Sequence, residues 1–424
     1  MTTVATPNEW REVSLFELCE RTELTNPERE PGKPFLYVDV SSVSNEAFQI
    51  VGPKEILGRD APSRARKVIR SNDVIFATVR PSLKRVALVP PALDGQVCST
   101  GFCVLRPKQC SLDPGFLYFY LLTEGIQRKV EGLQDGATYP AIRDSDLLEQ
   151  RIPLPILPEQ RAIAFALNAV QKAKEARQRE LVLERERKAA LMEYLFTHGT
   201  RGEPTKQTEI GEIPGSWRVD GLSDVVAVKG GKRLPKGASF KKTPTGLPYI
   251  RVVDFRDGSV RTDDLKFLAP EIQQSIRRYT ISRDDVYISI AGTIGLVGTV
   301  PEELDGANLT ENAAKLVITD KASLDKDFLA LILSSECGQR QIQNLTTKTT
   351  QPKLALMRIE QIMIPQPSVD EQREIARILR ACETKQVGLG KEIMCLDELF
   401  RALLDELMTG RLSALPPIEE HQAR

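Results

Sequence analysis

Histidine is almost missing from this chain. Only His198 and His421 occur among 424 residues, both near segment ends. That leaves no imidazole for the usual acid–base chemistry of an active site. The phosphate-cradling pattern Gly-x-x-x-x-Gly-Lys-Ser/Thr is absent, as are a strand-linked Gly-x-Gly-x-x-Gly and Gly-x-Ser-x-Gly. So is the Asn- or Asp-Pro-Pro-aromatic sequence expected of amino-group methyltransferases. The cysteines number seven, an odd count with no Cys-x-x-Cys. Reduced, mostly buried thiols of a cytosolic protein fit that pattern better than disulfides. Cys98, Cys103 and Cys110 lack a neighbouring histidine, which argues against zinc. The longest apolar runs, "FLYFYLL" at 116–122 and "FLALIL" at 328–333, fall well short of the ~20 residues that cross a bilayer. "MTTVATPNEW" carries no basic segment followed by an apolar core, so no secretory signal is read and a cytoplasmic location is expected. Net charge is zero, unlike a simple electrostatic nucleic-acid binder.

The zero average hides patches. In "RDAPSRARKVIR" (59–70), Arg59, Arg64, Arg66, Lys67 and Arg70 face one acid, Asp60. In "KGGKRLPKGASFKK" (229–242), Lys229, Lys232, Arg233, Lys236, Lys241 and Lys242 face none. Either run could also be a solvated loop.

The most informative feature is a repeat. "PLPILPEQRAIAFAL" at 153–167 returns as "PQPSVDEQREIARIL" at 365–379, about 212 residues later. The echo extends along the chain. Trp10 pairs with Trp217, "RKVIRSNDVIFATV" (66–79) with "RRYTISRDDVYISI" (277–290), and hence Asp73 with Asp285. "LDPGFLYFYLL" (112–122) matches "LDKDFLALILS" (324–334), and "LMEYLFTHG" (191–199) matches "LLDELMTG" (403–410). A period this long excludes a solenoid and implies two large modules of similar fold.

Each module opens with about 150 residues of mixed α/β character. "PFLYVDV", "DVIFATV" and "FCVLRP" read as strands, as do "LPYIRVV", "DVYISIA" and "KLVIT" in the second copy. "DPGFLYFYLLTEGIQRKVEGL" reads as a helix, with its counterpart near 325–344. A long helix then closes each module. Pro158 suits its first position, and Glu159 lies near the positive end of the helix dipole. Ser368 and Glu371 form a Ser-x-x-Glu capping box in the second copy. Gly199 and Gly410 suit the residue just past each helix end.

Between these limits a heptad seam runs through Ile375, Leu379, Cys382, Gln386, Leu389, Ile393, Leu396, Phe400, Leu403 and Leu407. In the first helix it runs through Ile163, Leu167, Val170, Lys174, Arg177, Leu181, Glu184, Lys188, Leu191 and Leu195, with polar residues mid-way. Gly388 and Gly390 each weaken a helix by about 1 kcal/mol. The two helices could pack separately on their own domains. The shared seam favours an antiparallel coiled coil, a rod roughly 60 Å long at 1.5 Å per residue, with an α/β domain at either end.

The stretch from Pro153 to Arg161, the long helix after it, and "Glu209-Ile-Gly-Glu-Ile-Pro214-Gly-Ser-Trp217" resemble the specificity subunit of type I restriction-modification systems. The resemblance covers nearly the whole chain, and two copies of proline-spaced Glu-Gln-Arg at this distance are quite specific to it. It implies an α+β chain with two target recognition domains (1–157 and 201–366), two spacer helices (158–200 and 367–410) and a tail (411–424). The helices form an antiparallel pair and the tandem repeat gives a pseudo-two-fold. Each domain reads one half of a bipartite, asymmetric site on double-stranded DNA. Two methylation subunits dock on the helical regions, at Glu159, Gln160, Arg161, Glu371, Gln372 and Arg373, and motor-nuclease restriction subunits join them. No membrane partner is implied. The chain itself is non-catalytic and binds neither metal nor cofactor. S-adenosylmethionine, ATP and Mg belong to the partners.

The two basic runs, the loops that resemble the family's recognition segments, and Arg251 supply the candidate DNA contacts. In the first domain these are Arg64, Arg66, Lys67, Arg80, Lys84, Arg85, Ser99, Thr100, Thr138, Tyr139 and Arg143. In the second they are Lys229, Lys232, Arg233, Arg251, Thr293, Asn308, Thr349, Gln351 and Lys353. Side chains of these types bond base edges or phosphates, and Tyr139 could stack or wedge. Any one of them serves equally well as a loop or cap residue, so the expectation rests on the sets. Asp370 replaces Pro158 in the second helix start, which implies two unequal docking surfaces. A coiled-coil scaffold without DNA specificity is the alternative, and it leaves the basic loops unexplained.

Overall fold

The computed structural model describes residues 10–135, 140–241, 243–347 and 351–415. The first copy runs β1 (Arg11–Ser14), α1 (Leu15–Leu18), β2 (Cys19–Glu20), β3 (Pro34–Val38), β4 (Lys54–Leu57), β5 (Ala65–Val68), β6 (Val74–Ala77), β7 (Val86–Leu88), β8 (Val97–Ser99), β9 (Phe102–Pro107), α2 (Pro114–Leu122), α3 (Glu124–Glu131), α4 (Asp144–Leu148) and β10 (Arg151–Leu154). It ends in α5 (Leu157–His198). The second copy begins with β11 (Thr205–Thr208), β12 (Gly211–Pro214), β13 (Arg218–Gly221), α6 (Leu222–Val225), β14 (Val226–Gly230), β15 (Pro248–Ile250), β16 (Phe255–Arg256), β17 (Ser259–Val260), β18 (Lys266–Phe267) and α7 (Pro270–Ser275). It continues through β19 (Val286–Ser289), β20 (Val297–Thr299), β21 (Asn308–Leu309), β22 (Ala313–Ile318), α8 (Lys326–Ser334), α9 (Glu336–Leu345), α10 (Leu356–Ile359) and β23 (Met363–Gln366) to α11 (Val369–Met408).

The two copies share one topology. The main sheet has the order β2-β9-β6-β7 in the first and β14-β22-β19-β20 in the second. A smaller sheet pairs β3 with β8 in parallel, and likewise β15 with β21. An antiparallel ribbon, β1 with β10 or β13 with β23, leads into the long helix. The repeated aspartates sit alike, buried beside β6 and β19. Asp73 accepts from the Arg70 N–H and takes both arms of Arg106 at 2.9 Å. Asp285 accepts from the Ser282 N–H and faces Lys315 at 3.5 Å. A buried carboxylate needs such partners.

Two local readings of the sequence change. The single helix expected after Leu112 is two, broken at Thr123, whose backbone is extended. Its counterpart breaks at Ser335, whose hydroxyl caps α9 by accepting from the Gly338 N–H. A Cβ on Gly338 would lie 2.4 Å from the Ile332 carbonyl oxygen, so the turn between α8 and α9 requires glycine there. Pro158 is the second helical residue rather than the first. A short polar stretch follows His198 and leads into the second copy. It forms the β11–β12 hairpin, which buries Ile213 beside Trp217.

The chain divides into two compact units. One joins the residues up to Arg179 with those from Gly390 onward, and the other spans Glu180–Leu389. Each therefore contains one domain and a stretch of both long helices. In the first unit the domain core continues into Ile163 and Leu167 of α5 and Leu407 and Met408 of α11. In the second it continues into Leu195 and Phe196 of α5 and Ile375 and Leu379 of α11. The pairing is antiparallel in both units. Lys174 pairs with Asp397 and Arg177 with Glu392 in the first. Lys188 pairs with Glu383, and Lys385 with Glu180 and Glu184, in the second. The polar interruptions of the first heptad thus have partners across the seam. Both helices end on left-handed glycines, Gly199 at φ 68° and Gly410 at φ 70°.

α11 runs unbroken through Gly388 and Gly390. Nothing lies within 4 Å of a Cβ built on either, so no close packing requires glycine. Gly388→Ala with Gly390→Ala should raise stability by about 1–2 kcal/mol, because alanine orders the helix at less entropic cost. Urea unfolding measures it. A midpoint that stays put or falls would mean the helix is not continuous there in solution.

Candidate nucleic-acid interface

The strands are short, and the irregular loops between them bring the candidate residues together within each unit. In the first, the Thr100 N–H donates to Arg64 O, and the Thr78 N–H and Oγ1 both donate to Gly101 O. The Ile142 N–H donates to Thr78 O and the Arg80 N–H to Pro140 O at 2.7 Å. The segments around Arg64, Arg80, Thr100 and Arg143 therefore form one surface, and these four residues are exposed. In the second unit, the Lys232 N–H donates to Leu309 O, the Ile290 N–H to Asn312 O, and the Leu354 N–H to Ile290 O. Lys229, Lys232, Arg233, Thr293, Gln351 and Lys353 are exposed around this junction. Gly231 holds it closed. A Cβ there would stand 2.0 Å from Thr310 O.

Not every candidate faces outward. Lys67 is buried, and its ammonium donates to Phe102 O at 2.6 Å and pairs with Asp144. Ser99 is buried and accepts from the Gly101 N–H. Asn308 is 1% exposed and donates to Ile276 O and Tyr279 O. These three, expected on the DNA face, hold the loops from beneath, since a buried polar group must find its bond inside the fold. Arg85 is half-buried and donates to Val40 O and Val43 O. Arg66 lies 3.5 Å from Glu28. Arg251 is forked onto Asp254 and Asp264. Thr138, Tyr139 and Thr349 lie outside the described residues.

Lys232 carries further support that the sequence did not single out. Its ammonium stands 5.5 Å from the centre of the Tyr279 ring, and the Tyr249 hydroxyl donates to its carbonyl. Arg233 pairs with Glu311 at 2.6 Å. Burial alone would lift the Glu311 carboxyl, but Arg233 and nearby hydrogen bonds outweigh it and hold it below the usual range. The pairing of Tyr37 with Tyr249 across the repeat was the available signal for the second tyrosine. The copies also differ at the loop after β6 and β19. Arg80 and Lys84 are left-handed at φ 50° and 52°, where the second copy has Gly292 and Gly295 at 75° and 88°. A side chain held in that region is strained, and such strain tends to concentrate at functional sites.

The Glu-Gln-Arg repeat has its own geometry. The Gln160 amide donates to Pro155 O at 2.8 Å and Ser111 O at 3.0 Å, and accepts from the Asp113 N–H at 2.8 Å. Gln372 reproduces the set with Pro367 O at 3.1 Å, Ser323 O at 2.9 Å and the Asp325 N–H at 2.8 Å. Both amides are buried, as is Glu159. Glu371 accepts from the Trp217 indole N–H at 3.1 Å and from the Thr200 N–H and hydroxyl. Its backbone N–H donates to the Ser368 hydroxyl, so only that half of the expected capping box is seen, the carboxylate being turned to Trp217 and Thr200. Of the six residues expected to meet partner subunits, only Arg161 and Arg373 are exposed.

All seven cysteines are free. Cys19, Cys98, Cys103 and Cys382 are buried, and burial pushes the Cys98 thiol up to about 12. Among the described residues no group of three or more His, Cys, Asp or Glu could hold a metal ion. No described helix is long and apolar enough to cross a membrane.

Burial pushes the Glu159 carboxyl above the usual carboxylate range, and the Trp10 side chain pulls it back only in part. Its Oε2 has no hydrogen-bond partner among the described residues. The fold therefore holds this proton more tightly than the unfolded chain does, so the stability it contributes is present at low pH and lost as pH rises through the folded value. Glu159→Gln should gain stability relative to the natural chain as pH rises above the ordinary glutamate value of about 4. Urea midpoints across that rise test this, and a pH-independent difference would contradict it.

The family described as the type I restriction modification DNA specificity domain matches this chain twice, over residues 7–185 and 214–394. A putative type I restriction enzyme specificity subunit, MjaX of Methanocaldococcus jannaschii, is 23% identical over 419 residues, covering 96% of this chain and 94% of its own. A chain solved in work on complex assembly and conformational transition of the type I R-M system is 31% identical. It covers 97% of this chain and 100% of its own, with a TM-score of 0.60. The S subunit of a type I restriction-modification system from M. genitalium shares the fold at 19% identity and a TM-score of 0.60, covering 96% of this chain and 98% of its own. With both copies matched and their sheets and helices laid out alike, the chain belongs to the type I restriction-modification DNA specificity family.

Proposed function

We propose that this chain is the DNA sequence-specificity subunit of a type I restriction-modification complex. Each domain reads one half of a bipartite, asymmetric site on double-stranded DNA, and the helix pair sets the spacing between the halves. The observation that carries this reading is the tandem repeat of one domain topology whose scaffold recurs while its exposed loops differ. Different loops on a shared scaffold suit two different half-sites, since base edges are read by side chains and the scaffold only positions them. A DNA-free coiled-coil scaffold is not favoured, because the family match covers both domains as well as helix.

The subunit is non-catalytic. Two methylation subunits would dock on the helical regions and supply S-adenosylmethionine chemistry, with ATP and Mg on the motor-nuclease subunits, all in the cytoplasm. Arg161 and Arg373 are the members of the repeated helix starts available to such partners. Arg373 lies beside Asp370 at 4.0 Å, so the two docking surfaces differ. The DNA contacts we favour are Arg64, Arg80, Thr100 and Arg143 in the first domain and Lys229, Lys232, Arg233, Thr293, Gln351 and Lys353 in the second.

Mapping modified bases in a genome that carries this chain and its methylation partners should return one asymmetric two-part sequence. A symmetric site, or no site, would overturn the proposal. Lys232→Ala with Arg233→Ala should weaken binding and flatten its salt dependence by about 0.9 per lost phosphate contact. Gln351→Ala should relax one base position, with a loss of about 1–3 kcal/mol in discrimination. Unchanged affinity, salt slope and specificity in binding titrations would place these loops away from DNA.

A further inference from the structure

The repeated Glu-Gln pair sits where each domain meets its helix. The ribbon of β1 with β10, or β13 with β23, hands the chain to the helix through a proline-spaced segment, and the domain core packs on the helix through apolar side chains. Apolar contact is non-directional and lets one body slide or tilt on another. The buried glutamine is directional. Its amide ties the approach to the helix (Pro155 or Pro367) to the turn before α2 or α8 (Ser111 and Asp113, or Ser323 and Asp325). The atoms bonded in both copies are backbone, so the shared set survives when the surrounding side chains change; Gln372 adds the Gln366 side-chain oxygen at 3.3 Å. Asp113 and Asp325 in turn cap α2 and α8. Glu371 adds the turn after the facing helix, at Thr200, and the indole of Trp217.

We propose that Gln160 and Gln372, with Glu371 beside the latter, form the joint that fixes the angle of each recognition domain on its helix, and so set how strictly the complex holds one spacing between half-sites. They are positioning residues that act through the domains they orient. The inference rests on the reading of the helix pair as a spacer. One base pair changes the half-site separation by about 3.4 Å and its rotation by about 35°. A tilt of a few degrees at the joint, carried out to the loops, is enough to admit a neighbouring spacing.

The test uses the full chain assembled with its methylation subunits, with modified sites mapped by sequencing. In Gln372→Leu the half-site bases should stay the same, while the share of modified sites whose spacer differs by one base pair rises about tenfold, the factor that one loosened hydrogen-bonded tether can supply. Gln372→Glu keeps an acceptor for the Asp325 N–H but loses the amide donor, and should fall between. Leu379→Ala removes buried packing from the same helix and should lower stability with the spacing unchanged. An assembled Gln372→Leu complex with natural spacing overturns the joint. If that variant does not assemble, natural spacing in both Gln372→Glu and Gln160→Leu overturns it. A natural chain that modifies no two-part site refutes the spacer reading itself, and the joint with it.

Discussion

In each unit a stretch of the seam between α5 and α11 carries the domain. Its outer turns are apolar and merge with a domain core in each unit, through Ile163, Leu167 and Leu407 in one and Leu195, Ile375 and Leu379 in the other. Its middle is ionic. Exposed pairs such as Arg177 with Glu392 add little stability, so the strength of the seam lies in its apolar ends. The ionic middle specifies register. Glu184 is 4% exposed and holds Arg187 of its own helix and Lys385 across the seam, and slipping the helices would cost this buried carboxylate its cross-seam partner. A polar position inside a heptad seam selects one alignment at some cost in strength.

On this frame the two domains are built alike and finished differently. β6 and β19 carry the same buried aspartate at their foot, and the parallel pairs β3–β8 and β15–β21 recur. The loops that leave these strands diverge in charge and in backbone. Asp39 follows β3 where Arg251 follows β15, and Arg80 and Lys84 take left-handed positions that the second copy gives to glycine. Holding side chains in strained positions where glycine would be easier is understandable if those side chains have work outside the fold.

Much of this was legible in the sequence because the repeat doubled every signal. The heptad spacing gave the helices, Gly199 and Gly410 gave their ends, and β-branched runs gave β6, β9, β19 and β22. What the sequence hid was tertiary. Thr123 and Ser335 break helices because their backbones turn against the core, although the apolar spacing runs on through them. Lys67, Ser99 and Asn308 look exposed by composition, yet they sit on β5, β8 and β21 with their polar atoms bonded inside the fold. Gln160 and Gln372 read as helix-start residues open to a partner, and only the distance from helix to domain turn shows that they face inward. Arg161 and Arg373, one residue further, face solvent because a helix rotates by about 100° per residue.

The central claim is that the paired helices are the ruler between two half-sites. Gln386 and Glu184 face each other, the Gln386 amide donating to Glu184 O at 3.2 Å, so a heptad inserted after Glu184 and another before Gln386 keep the seam in phase. They lengthen the pair by about 10 Å at 1.5 Å per residue, which is roughly 3 base pairs and a rotation of about 100°. The modified site of the assembled complex should then keep both half-site sequences, lose occupancy, and shift its best spacer by about two to four base pairs. An unchanged spacer, or altered half-site bases, would show that the helices do not set the distance.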